Sequence, residues 1–222
     1  MTPSRPPALT LRRGAAVAGS LPRRLVSSLL ARRKGLPTRR EDIWLTNASG
    51  YRVAAHVHEP QDETPRPAVV LVPGRDKSGR IFCRGGYILA AEELAVRGIR
   101  AVHFDPVGRG RSWGHDDFCG AEGQDSLRTV LDFVCSRRNV APHRIGVASF
   151  SMGLALAAPV LARDGARLGV RFLLDWEGPA GREDIVRTGP LPPAARIALA
   201  ADPARFWRLR EPTGWIGQIE CA

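Results

Sequence analysis

The run Arg144-Ile-Gly-Val-Ala-Ser-Phe-Ser-Met-Gly-Leu154 brings an apolar stretch, two serines and a glycine to one short junction. A strand that passes straight into a helix leaves its junction residue in a sharp, strained turn. Small residues two positions to either side are then needed to avoid clashes. Around Ser151 those positions hold Ser149 and Gly153, whereas centring the turn on Ser149 would put Val147 and Ser151 there, a poorer fit. The chemistry of such a hydroxyl is nucleophilic attack, and the competing reading is a helix N-cap serine. Placement between a buried strand and an apolar helix favours the nucleophile.

A serine hydroxyl is a poor nucleophile without a general base. The five histidines are His56, His58, His103, His115 and His143, and all precede Ser151. His56, His58 and His103 fall within strands and read as packing or surface residues. His143 opens a strand at the end remote from the junction. His115, in a loop after a strand's C-terminal end, is the one on the rim where such sites form. Cys83, Cys119, Cys135 and Cys221 show neither close pairing nor zinc-ligand spacing, and no phosphate loop is present, so no metal and no cofactor is implied.

The elements that must position Ser151 alternate. Ile43-Trp-Leu45, the turn Asn47-Ala-Ser-Gly50 and the alternating Tyr51 to His58 read as a hairpin. Ala68-Val-Val-Leu-Val72 is a short apolar run suited to a strand buried on both faces. Helices are expected over Gly86–Arg97, Glu122–Arg137 and Ser151–Arg163, with strands at Arg100–Phe104, Arg144–Ser149 and Gly169–Leu174. That rhythm predicts an α/β fold, a mostly parallel sheet with helices on both faces. After Gly178, prolines at 190, 192, 193, 203 and 212 break the chain into short pieces.

The chain has 222 residues, 44% hydrophobic and 25% charged, enough for one domain with a sizeable core. The composition excludes wholesale disorder, collagen and coiled coil. Its net charge of +11 is confined: residues 1–40 hold ten basic and no acidic side chains, while the remainder is nearly neutral with 23 basic and 22 acidic ones. The expected division is a basic arm at 1–40, a core at 41–178 and a partial cap at 179–222. The arm has no Phe, Trp or Tyr to stack on a base, so no nucleic-acid partner is expected. An amphipathic helix over Pro22–Arg33, with Leu25, Leu29 and Leu30 on one face, would allow weak membrane-surface contact. The plain reading is a solvated arm or a helix lying on the domain, and a twin-arginine-like signal at Arg12 and Arg13 is a third. No apolar run is long enough for a membrane helix, and the expected location is cytoplasmic.

Four segments together resemble the α/β-hydrolase superfamily over about residues 41–178. The Ser-x-Ser-x-Gly turn at Ser151 resembles its nucleophile elbow, with serine in place of the first glycine. Val69-Val-Leu-Val-Pro-Gly-Arg75 resembles its oxyanion turn, with Pro73 in place of a common histidine. Phe104-Asp-Pro-Val-Gly-Arg-Gly-Arg-Ser112 resembles the turn after the next strand. Leu173-Leu-Asp-Trp-Glu-Gly-Pro179 resembles the end of the strand beyond the elbow helix. The 108–125 stretch leans towards the peptidase-like and dienelactone-hydrolase-like branches.

The resemblance implies a hydrolase in which Ser151 attacks an ester, thioester or amide of a small acyl substrate and forms an acyl-enzyme. It implies backbone N–H groups of Arg75 and Met152 as the oxyanion hole, Asp105 as a structural turn residue and Asp175 as a candidate acid. In this fold the partners follow in the order Ser, acid, His, and no histidine follows Ser151, so an impaired enzyme is expected. His115 is the candidate substitute base. The sequence ends at Glu220-Cys-Ala222 within what reads as a cap carrying Phe206, Trp207 and Trp215. The expectation is a chain cut short of its final strands, leaving the apolar Gly169–Leu174 strand as an open edge and a possible dimer contact. A non-catalytic hydrolase-like binding module and a surface binder acting through the arm are the alternative functions.

Overall fold

The computed structural model describes residues 35–83 and 89–220. The expectations for the arm through Lys34, for the first residues of the helix drawn from Gly86, and for Cys221 lie outside them.

The hairpin is formed by β1 (Thr38–Thr46) and β2 (Arg52–Pro60), antiparallel and in register from Thr38 opposite Pro60 to Thr46 opposite Arg52. Asn47 closes its turn: its carbonyl accepts the Gly50 N–H at 2.9 Å and its side-chain oxygen accepts the Tyr51 N–H at 2.8 Å. Arg39 and Arg40, grouped with the arm by charge, are strand residues.

Four parallel strands follow: β3 (Arg66–Val72), β4 (Arg100–Phe104), β5 (Val140–Phe150) and β6 (Val170–Trp176). The six-stranded sheet has the order β1-β2-β4-β3-β5-β6, with β2 antiparallel to β4. β5 starts four residues before the expected Arg144. Its opening is irregular: the pairing with β3 shifts between Arg66 and Ala68, and His143 has φ 55°. Pro142 and the exposed residues 142–144 hide that part of the strand from periodicity.

Alternate residues of the central strands serve two layers, as the pleat demands. Ala68, Val70 and Val72 pack with Leu127 and Leu131 of α2 (Ala121–Ser136) and Leu156 and Leu161 of α3 (Leu154–Asp164). Val69 and Leu71 pack with Phe82 of a 3-10 turn (Gly79–Cys83) and Ala91 of α1 (Ala91–Val96). Helices thus cover both faces.

Beyond β6 lie α4 (Arg182–Arg187), α5 (Pro193–Ala201), α6 (Pro203–Arg210) and two 3-10 turns, Pro212–Gly214 and Ile216–Gln218. Three of the prolines that interrupt the sequence rhythm each begin an element, because a first-turn proline has no N–H to lose and a preset φ. β1 and β6 are the edge strands among the described residues, and Phe172, Leu174 and Trp176 on β6 are 50, 46 and 46% exposed.

Candidate active site

Ser151 stands where β5 ends, as the first residue of a single 3-10 turn (Ser151–Gly153) that runs directly into α3. Its φ is 50°, a left-handed conformation that costs a non-glycine residue on the order of 1 kcal/mol or more and persists only where the surroundings impose it. The surroundings do so through close packing. A Cβ on Gly153 would lie 2.8 Å from the Val72 carbonyl oxygen and 3.0 Å from that of Pro73. A Cβ on Gly74 would lie 3.0 Å from the Phe150 carbonyl oxygen and 3.2 Å from Ser151 Cβ. The Pro73–Asp76 bend therefore lies directly against residue 151. Met152 is fully buried behind the elbow, and the start of the helix adds a partial positive charge.

Buried charges brace this rim. Asp105, fully buried just past β4, accepts the Gly79 N–H at 2.8 Å and the Arg111 N–H at 2.8 Å. Gly110, at φ 56°, is needed there because a Cβ would fall 2.2 Å from Asp105 Oδ2. Arg109 donates to the Gly74 carbonyl at 3.0 Å and makes a two-pronged pair with Asp116 at 2.7 and 3.1 Å. It fixes the bend opposite Ser151. Nothing in linear spacing marks Arg109 rather than Arg111 as the buried one, and the fold makes that choice.

Arg75, expected to act through its backbone alone, also uses its side chain. It donates to Thr188 Oγ1 at 2.6 Å, to the Gly189 carbonyl at 3.0 Å and to the Pro190 carbonyl, and lies 4.9 Å over the Phe118 ring. It ties the segment after α4 to the bend. On the other side, Arg210 of α6 donates to the carbonyls of Asp117, Phe118 and Phe206 at 2.7, 2.9 and 2.9 Å. Cys119 sits beneath the elbow, 3.6 Å from the Met152 carbonyl, and burial pushes its thiol up to about 11.

Asp175 lies beside Ser149 in the β5–β6 register. Its carboxylate accepts the Ser149 hydroxyl at 2.6 Å and the Gly178 N–H at 2.9 Å, so the structure places it as the residue that closes the turn after β6. His115 is exposed, and among the described residues no hydrogen bond holds its ring.

A second polar group was not legible in linear order. His56, His58 and His103, read as packing or surface residues, are 2, 4 and 0% exposed and lie together on β2 and β4. His103 Nε2 is 3.2 Å from His58 Nε2 and 3.4 Å from Cys83 Sγ. Burial pushes the His103 ring down to about 2, lowers that of His58 and raises the Cys83 thiol, so both rings are neutral near pH 7.

Comparison with protein-family models finds no match, and neither does comparison with curated protein sequences. Solved structures do match. Acetyl xylan esterase from Paenibacillus sp. R4 is 18% identical with a TM-score of 0.60, over 88% of this chain and 74% of that one. Acetyl xylan esterase 1 from Thermoanaerobacterium sp. JW/SL YS485 is 16% identical with a TM-score of 0.60, over 82% and 66%. The α/β hydrolase GrgF from Penicillium sp. sh18 is 17% identical with a TM-score of 0.54, over 75% of this chain and 54% of that one. The match thus spans little more than half of GrgF, and 53% and 55% of two further structures. Among the described residues no helix is long and apolar enough to cross a membrane. At these identities the likeness is one of fold, and it agrees with what the four sequence segments imply: the chain is built on the α/β-hydrolase fold.

Proposed function

We propose that the chain carries the nucleophile and oxyanion half of a serine hydrolase acting on an ester, thioester or amide of a small acyl substrate. The observation that supports this most is the backbone at Ser151: a left-handed serine between a buried strand and a helix, with the Gly74 turn packed against it. In the proposed reaction Ser151 Oγ bonds to the acyl carbon while its proton passes to a base. The carbonyl oxygen takes negative charge facing the N–H groups of Met152 and Arg75. Collapse expels the alcohol, thiol or amine with a proton, and water then releases the acid. Each fixed oxyanion donor contributes about 3 kcal/mol to such a step.

On its own the chain is a slow catalyst. A triad works because the acid orients the base. Here both Asp175 oxygens already accept hydrogen bonds and His115 is not held. The same observation favours a second reading, a hydrolase-like module retained for binding. A fluorophosphonate probe separates the two. The catalytic reading expects a slow, one-to-one adduct on Ser151, located by mass spectrometry of the digested protein and lost in Ser151→Ala. Label that persists unchanged in Ser151→Ala, or no adduct at all in a folded protein, would leave the binding module standing.

A further inference from the structure

His58, His103 and Cys83 come from β2, β4 and the 3-10 turn after β3, segments far apart in sequence, yet their donor atoms lie within 4.8 Å of one another. They belong to the layer formed by Phe82 and α1, and take no part in the elbow chemistry. Glu92 of α1 orients one of them, His58. Its carboxylate lies 3.3 Å from His58 Nδ1 and is itself held by the Thr38 hydroxyl. Accepting a proton from Nδ1 leaves His58 Nε2 as a bare lone pair, aimed at His103 Nε2. His56 is oriented in the same way by Asp42 at 2.8 Å.

Protons alone do not satisfy this group. If His103 carries its proton on Nε2, it serves His58, but its Nδ1 is a buried lone pair without a donor and the Cys83 thiol loses its acceptor. If the proton is on Nδ1, that N–H has no acceptor, and two imidazole lone pairs face each other at 3.2 Å. In either tautomer His103 Nδ1 is unpartnered, as is His56 Nε2, in rings at most 2% exposed. An ion on the Nε2 side removes the clash of lone pairs and gives Cys83 Sγ a partner, while His103 Nδ1 and His56 Nε2 stay unpartnered.

We infer that His58, His103 and Cys83 form a binding site for a zinc-class divalent cation, held through His58 Nε2, His103 Nε2 and Cys83 Sγ. Bond lengths of about 2.0–2.1 Å to nitrogen and about 2.3 Å to sulfur in a tetrahedral site put donor atoms roughly 3.3–3.6 Å apart; His103 Nε2 lies 3.2 Å from His58 and 3.4 Å from Cys83, and the remaining pair, His58 and Cys83, lies within 4.8 Å. Two neutral imidazoles and one sulfur suit zinc and exclude magnesium and calcium, which take oxygen. The Glu92–His58 pair has the form of a carboxylate that orients a metal-bound histidine. Binding replaces the thiol proton of Cys83, which leaves to solvent, with the cation. Of the three, Cys83 also lines a cleft of about 750 Å³, together with Asp42, His56, Lys77, Arg80 and Arg111.

The test uses the full chain after treatment with a chelator, titrated with Zn2+ against a chromogenic competitor and separately with Co2+. The expected result is one equivalent of tightly held metal, and a Co2+ spectrum with a near-ultraviolet thiolate band and the visible bands of a four-coordinate site. Cys83→Ser, at a half-buried position, should abolish the thiolate band and weaken Zn2+ at least tenfold, while Cys135→Ser changes neither. Glu92→Gln keeps all three ligands and should weaken binding about 10–100-fold. Circular dichroism shows that each variant is folded. No stoichiometric Zn2+ binding, or a thiolate band that survives Cys83→Ser, would overturn the assignment.

Discussion

Asp105 and Glu59 are both completely buried carboxylates, at opposite ends of the parallel strands, and the fold uses them differently. Asp105, beyond the C-terminal end of β4, accepts backbone N–H groups of two loops. Glu59, at the end of β2 where the parallel strands begin, is surrounded by guanidinium groups: Arg39 at 2.9 Å, Arg100 at 2.7 Å and Arg137 at 3.0 and 3.1 Å. Arg100 is itself 1% exposed and also donates to the carbonyls of Asn139, Asp62 and Thr64. One carboxylate sets loop geometry around the elbow; the other neutralises buried charge and pins strand ends. The contrast is between two carboxylates: at the elbow end Asp105 acts through backbone N–H groups, beside the Arg109–Asp116 ion pair, and at the opposite end Glu59 acts through side-chain charge alone.

The comparison is most severely tested at Glu59. Glu59→Ala leaves Arg100 buried and uncompensated, and breaking a buried pair in this way costs about 3–5 kcal/mol. Urea unfolding should show that loss, while the folded fraction still labels at Ser151 at the parent rate. Asp105→Ala should differ in what it does to labelling. It leaves two N–H groups unpaired at about 1–3 kcal/mol each, so stability falls by a comparable amount. The fluorophosphonate rate should drop about tenfold or more, because misplacement of a reacting group by about 1 Å costs up to 10²-fold. A large loss of labelling in Glu59→Ala with none in Asp105→Ala would erase the distinction.

The smallest effect belongs to the exposed pair that joins α4 to the end of α6, Arg182 with Glu211 at 2.9 Å. The hydrogen bond from Arg182 holds the Glu211 carboxyl below its usual 4.5. A lowered folded value means that the stabilisation is complete above 4.5 and is lost as pH falls through the lowered value. Because the pair is solvent-screened its contribution is small. The unfolding midpoint of the parent should therefore fall slightly more than that of Glu211→Gln between about pH 6 and about pH 3. Equal losses would show that the pair contributes nothing to holding the two helices.

Local order left clear marks in the sequence. The alternation of apolar runs and helical stretches placed β3, β4, α2 and α3 within a few residues, since these elements are buried on faces whose period is fixed by backbone geometry. The elbow was legible because its parts are contiguous, with Ser149, Ser151 and Gly153 within five residues, although what excludes a Cβ at Gly153 is the backbone of Val72 and Pro73. The Asp105 turn was read through the family resemblance of Phe104–Ser112, and the structure adds that its Gly108 and Gly110 are left-handed at φ 73° and 56°. The ragged start of β5 was not, because its exposed residues and Pro142 have no period to detect.

What the sequence determined by itself is therefore what adjacent residues decide: the strand-to-helix junction, the hairpin, and prolines that open short helices. Only the tertiary structure decided which arginine braces the Gly74 carbonyl, that Asp175 takes the Ser149 hydroxyl, and that Cys83 meets His58 and His103. Those contacts join segments separated by 20 to 45 positions. Strand order and register, which arise from the collective burial of two apolar faces, bring such side chains together, and no local spacing encodes that.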